Sequence, residues 1–188
     1  VNDEIVHGIG SSRVIQPGDI IKLDVGIIKD GWVGDNALTV PVGNVGREIE
    51  NLLIATEESL HIAISFARDG VMLGDLCASI ERHVRSKGYS VVREFVGHGV
   101  GKKLHEPPQV PNYRPESNRP RLRSGMILAI EPMVNLGKAG IKMLDDDWTV
   151  VTADGGPSSH FEHTVLVTDD EPEILTWRER TMILPSDT

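Results

Sequence analysis

Between Asp19 and Val40 the chain has little freedom in how it can fold. Two arms of strand-like residues, Asp19–Ile28 and Trp32–Val40, stand on either side of Asp30-Gly31. An Asp-Gly pair so flanked favours the two-residue turn of a β-hairpin, because both turn residues need positive φ. Such a turn also fixes register. Lys29 faces Trp32, and counting back along both arms sets Gly26 opposite Asp35. Asp24 lies two residues from Gly26, so strand alternation puts it on the face of Asp35. The two acids become diagonal neighbours, with Cβ atoms roughly 7 Å apart or less. Carboxylates reaching across that gap can hold one or two divalent cations; without a cation they repel, and one is driven toward its protonated form. A solvated sheet face carrying two scattered acids explains the same pattern. Leu23 and Val25 supply the other face, so the acidic face is not expected to be the ordinary core face.

Two amphipathic helices follow. From about Gly46 to Ala67, residues Ile49, Leu52, Leu53, Leu60, Ala63 and Ile64 fall on one stripe, with Glu50, Glu57 and Glu58 off it. From Leu73 to Lys87 the stripe is Leu73, Leu76, Cys77, Ile80 and Val84, and Gly88 is a natural stop. Strands are then expected over Tyr89–Val96, Met126–Val134 and Glu162–Thr168, with a hairpin of Gly140–Leu144 and Trp148–Thr152 around Asp145-Asp146-Asp147. Pro107–Pro120 holds five of the eleven prolines and predicts an extended surface loop. Helices in mid-chain followed by a run of strands predict an α+β domain on an antiparallel sheet.

Three further segments carry chemistry. In Phe95–Pro108 two histidines, His98 and His105, stand seven apart, with Gly97, Gly99 and Gly101 allowing close backbone approach. Alone, that pattern is equally a glycine-rich turn with two partly exposed histidines. Glu131 ends the apolar run Met126–Ile130, and Glu162 opens Glu-His-Thr-Val-Leu-Val. A carboxylate there is costly to bury unless paired or metal-bound, and is unremarked if it sits at a strand end in water. Asp24, Asp35, His98, Glu131 and Glu162 together form a set of hard oxygen donors with one imidazole. Such a set suits Mn, Fe, Co or Zn and has the carboxylate count of a two-metal site.

Composition closes off other classes. A net charge of −9 opposes general affinity for nucleic acid or an anionic membrane. Cys77 is the only cysteine, so no intrachain disulfide forms and a reducing compartment, the cytoplasm, is the simpler expectation. No apolar run is long enough to span a bilayer. His61 and His83 read as surface or packing residues on helices, Cys77 as core, and His160 and His163 match no ligand position.

The segment Phe95–Tyr113 resembles the signature of the type I methionine aminopeptidases, glycine pattern included. Asn2–Gly8, Leu23-Asp24-Val25, Gly34-Asp35, Ile130–Val134 and Phe161–Thr164 match further motifs of that family in order, and the likeness runs from Val1 to about Thr176. The resemblance implies the pita-bread fold, two pseudo-symmetric α/β halves around a dinuclear centre. It implies two divalent ions among Co, Mn, Fe, Zn or Ni. Asp35 and Glu162 would bridge them, Asp24 would chelate one, and His98 and Glu131 would complete the other. Glu131 would also be the proton shuttle, and His7 and His105 would contact substrate near the scissile amide. Trp148 would border the pocket for the methionine side chain. The implied substrate is a peptide or nascent chain with a free amino-terminal methionine, with the ribosome as a candidate partner.

Some residues depart from the family. Its usual further amino-terminal segment supplies part of the methionine pocket and has no counterpart within residues 1–188, which are expected to form one catalytic domain shortened at its amino end. Leu104 stands where an aromatic is common, and Val6 where some members have cysteine. Three other functions stay open at this point: cleavage before proline by an enzyme of the same fold, a pita-bread binding module without catalysis, and an inactive fragment.

Overall fold

In the computed structural model of the chain, which describes residues 1–177, a short strand β1 (Glu4–Val6) leads into the hairpin of β2 (Ile20–Lys29) and β3 (Trp32–Pro41). Lys29 pairs with Trp32 and Gly26 with Asp35, the register the turn demands. Asp30 and Gly31 take φ of 51° and 76°. The helices are α1 (Arg47–Ile64) and α2 (Leu73–Ser86), within a few residues of expectation.

The remaining strands are β4 (Ser90–Val91), β5 (Gly97–Gly99), β6 (Glu106–Val110), β7 (Ile127–Ile130), β8 (Met133–Asn135), β9 (Ile141–Met143), β10 (Val150–Thr152), β11 (Ser158–His160), β12 (His163–Leu166) and β13 (Glu173–Ile174). Five of them form one sheet in the order β13-β12-β7-β5-β6, and three-stranded sheets β1-β10-β9 and β11-β8-β4 complete the frame with the hairpin. All the strand pairs run antiparallel. Among the described residues no helix is long and apolar enough to cross a membrane.

Strand alternation sorts the sheet into two faces. Leu128, Ile130 and Val165 join the core that takes the apolar stripes of α1 and α2, including Leu52, Leu60, Leu76 and Ile80. Each fully buried side chain of this kind contributes roughly 1.5–3 kcal/mol. The intervening residues Ala129, Glu131 and Thr164 therefore face away from the helices. That opposite face carries the chemistry described below.

Four expectations are corrected. The strand expected over Tyr89–Val96 is only Ser90–Val91; Arg93–Val96 is a connection into β5. The strand expected over Met126–Val134 is broken at Glu131-Pro132 into β7 and β8, since proline has no N–H for the ladder. Pro107–Pro120 is not all surface loop. Pro107–Val110 lies within β6, and Val110 and Asn112 are fully buried. Finally, the apolar face of the hairpin is the open one. Leu23 and Val25 are 48% and 57% exposed, whereas Asp35, Ala37 and Thr39 are buried. The polar face points inward because it packs on β11 and β12, where Ala37 O accepts from Glu162 N–H and Thr39 Oγ1 accepts from His160 N–H.

Candidate metal centre

The backbone brings four acids and a histidine to one place. Across β7 and β12, His163 pairs with Ile130, so Glu131 and Glu162 stand opposite each other one step further along. His98 is the central residue of β5 and pairs with Ala129 on one side and Gln109 on the other. Strand β5 sits this close because of its glycines. A Cβ at Gly97 would lie 2.3 Å from the carbonyl oxygen of Ala129, and one at Gly99 2.3 Å from that of Pro107. No other residue fits there without moving backbone.

Two residues not singled out from sequence tie the hairpin to this sheet. Thr164 Oγ1 accepts from Asp35 N–H at 3.0 Å and donates to Asp35 O at 2.7 Å. The Asn36 amide donates to the carbonyl of Glu162. Thr164 thus fixes where Asp35 sits relative to Glu162. Outer-shell partners of this kind typically carry about 10–100-fold in activity or metal affinity. Thr164→Val, which keeps the shape and removes both bonds, is expected to lower activity by about that factor, with its melting temperature read alongside to separate unfolding from misplacement. Unchanged activity would remove Thr164 from the site.

Ligand-type atoms of Asp35, His98 and Glu162 all lie within 4.8 Å of one another, and all three residues are buried. His98 Nε2 is 3.4 Å from Glu131 Oε1 and 3.8 Å from Asp35 Oδ2. Its Nδ1 lies 2.9 Å from Gly99 O. An N–H at Nδ1 donating there leaves Nε2 as a lone pair aimed at the carboxylates. Asp24, an exposed residue of β2, is near enough for its charge to act on Glu131 and Glu162.

Electrostatics mark the same cluster. Burial first, then the charges of Asp35 and Asp24, raise the Glu131 carboxyl well above its ordinary range. Glu162 is raised by burial and then by Glu131, Asp35 and Asp24. Asp24 is raised by burial and by Asp35. Burial holds the His98 imidazole below its usual value. Glu162 Oε1 is buried without a hydrogen-bond partner among the described residues. Crowded carboxylates that raise one another, an unmatched buried oxygen and a neutral imidazole aimed among them fit a divalent cation site.

The other predicted residues ring the cluster. His105 packs edge-on against the His98 ring at 4.3 Å. His7 stacks on Trp148 at 4.6 Å, meets Phe95 edge-on at 5.4 Å, and is near enough to Asp24 to favour its ionised form. Trp148 is a half-exposed rim residue. Leu104 lies beside Gly26, where an added Cβ would be 3.6 Å from both Leu104 Cδ1 and Asp35 Oδ1. Away from the site, His83 pairs with Glu58 at 3.0 Å, and Cys77 is core. His160, expected to match no ligand position, lies outside the trio of mutually close ligand atoms but is buried 3.7 Å from Glu131 Oε2. Its place two residues before Glu162 was the available signal.

Comparison with known proteins agrees with this geometry. A model of metallopeptidase family M24 matches residues 1–169. The chain is 51% identical to methionine aminopeptidase 1 of Bacillus subtilis over 176 residues, covering 94% of this chain and 71% of that protein. It is 42% identical to the Escherichia coli methionine aminopeptidase over 180 residues, 95% and 68% of the two chains. The crystal structure of a methionine aminopeptidase from Thermotoga maritima superposes with a TM-score of 0.91 at 44% identity, covering 94% of this chain and 72% of that one. A prolidase from Pyrococcus furiosus shares the fold, at a TM-score of 0.74 and 24% identity over 93% of this chain and 46% of its own.

Proposed function

This chain belongs to metallopeptidase family M24, among the methionine aminopeptidases with their pita-bread fold, and we propose that it hydrolyses the first peptide bond of a polypeptide to release its amino-terminal methionine. The observation that carries this reading is the convergence of Asp35, His98, Glu131 and Glu162 at the inner face of the sheet. With Asp24 they would hold two divalent cations, drawn from Co, Mn, Fe, Zn or Ni. Four ionised carboxylates match the charge of two such ions. When bound, the cations acidify water and polarise the scissile carbonyl.

The protein's own groups supply positioning and proton transfer. Glu131, whose burial and acidic neighbours raise its proton affinity, takes a proton from the attacking water and passes it to the leaving nitrogen. His105, against the His98 ring, and His7, held by Trp148 and Phe95, donate hydrogen bonds to the substrate's carbonyl oxygen and amide. Trp148 borders the methionine side chain. The substrates are peptides and nascent chains, met in the cytoplasm, with the ribosome as the place of encounter. The lone buried cysteine suits that compartment.

The test is release of free methionine from a Met-Gly peptide by the manganese- or cobalt-loaded protein, beside an Xaa-Pro peptide. Methionine release with the Xaa-Pro peptide left intact is expected; the reverse would move the chain to the proline-specific branch. His105→Ala is expected to lower kcat/KM by roughly a hundredfold, the loss of one preorganised donor. A rate equal to wild type would remove His105 from the transition state.

A further inference from the structure

His160 has the strongest unexplained placement in the molecule. It is 2% exposed, and its backbone is clamped to one side chain in both directions. Its N–H donates to Thr39 Oγ1 at 2.8 Å, and its carbonyl accepts from the same hydroxyl at 2.7 Å. Strand β11 pairs it with Met133, two residues beyond Glu131. Its Nε2 has no hydrogen-bond partner among the described residues and lies 3.7 Å from Glu131 Oε2. Buried polar atoms left unmatched are rare and call for a reason.

The carboxylate of Glu131 is therefore flanked by imidazoles on both oxygens, with His98 Nε2 beside Oε1 and His160 Nε2 beside Oε2. The two cannot do the same work. His98 shares its space with Asp35 and Glu162, whereas His160 is outside that trio of mutually close ligand atoms. An uncharged imidazole with Nε2 protonated is a donor, and the nearest carboxylate oxygen is Oε2 of Glu131. At 3.7 Å the contact is longer than a hydrogen bond, as catalytic contacts without substrate often are.

We propose that His160 is a positioning residue for the reaction: protonated at Nε2, it donates to Oε2 of Glu131 and fixes the plane in which that carboxylate presents itself for proton transfer. The inference rests on the assignment of Glu131 as the shuttle.

Three readouts test it. Imidazole nitrogen NMR of the labelled wild-type protein is expected to show His160 as the Nε2–H tautomer, with a resonance that moves in Glu131→Gln. A bare Nε2 would overturn the proposal whatever the activity. His160→Leu, loaded with manganese, is expected to lose about 10–100-fold in kcat with little change in KM and with its manganese content unchanged. His160→Gln, whose amide can donate from a similar reach, is expected to recover most of that kcat. Wild-type kcat in the leucine variant would overturn the role, as would a folded, metal-replete glutamine variant no better than leucine. Loss of manganese from the leucine variant would make His160 a ligand instead. A wild-type protein that shows the Nε2–H tautomer but releases no methionine would count against the proposed activity, not the hydrogen bond.

Discussion

Asp35→Asn is expected to lower methionine release by more than about a thousandfold, beyond what loss of one transition-state donor or one outer-shell partner costs. No other acid in the cluster is so central. Asp35 is 7% exposed, lies within 4.8 Å of ligand atoms on both His98 and Glu162, and its charge raises Asp24, Glu131 and Glu162 alike. Asparagine keeps the side chain's shape, and the backbone bonds between residue 35 and Thr164 do not depend on it. Only the charge and the second ligand oxygen are lost. The same change relieves repulsion when cations are removed, so the metal-free variant should melt no lower than metal-free wild type. Rate, cation content and melting temperature on one preparation decide the matter. Full activity with two bound cations would refute a shared role for Asp35.

Stripping the cations with a chelator should abolish activity and lower the melting temperature by about 8–16 °C. Cation at a thousandfold above its dissociation constant stabilises the folded state by about 4 kcal/mol, and in a protein of this size each kcal/mol moves the midpoint by about 2–4 °C. The gap should depend on pH, with a definite sign. Without cations the folded chain holds protons on Glu162 and Glu131 above the ordinary value of 4.5, where the unfolded chain has released them. Folded therefore binds more protons than unfolded, and stability falls as pH rises from about 5 toward 8. Cations take the place of those protons and remove the penalty, so the difference between loaded and stripped protein widens with pH. Melting curves at pH 5, 6.5 and 8 test this. A gap that is absent, or narrows as pH rises, would count against the cluster as a cation site.

The elements that sequence made legible are those with local causes. Asp30-Gly31 sets the register of β2 and β3 through the φ its turn needs, and the stripes of α1 and α2 follow the helical period. The short strands were harder. Strand β5 has three residues and β4 two, and each exists because a neighbour supplies its hydrogen bonds. Periodicity over so few residues carries little signal. Met126–Val134 reads as one strand from its apolar run, but Pro132 breaks the ladder and puts Glu131 at the break.

Sequence by itself determined the residue types of the site: which acids share a hairpin face, and that His98 sits among glycines able to accept close backbone. Only the tertiary structure decided which face points inward. Local patterning puts Leu23 and Val25 inside, yet the hairpin turns Asp35, Ala37 and Thr39 to the interior because β11 and β12 offer hydrogen bonds to that side. Thr164, Asn36 and His160 gain their meaning the same way, from partners more than a hundred residues distant along the chain. Hydrogen bonds and charges act over a few ångströms of space, and no spacing along a chain records which of those distances folding will close.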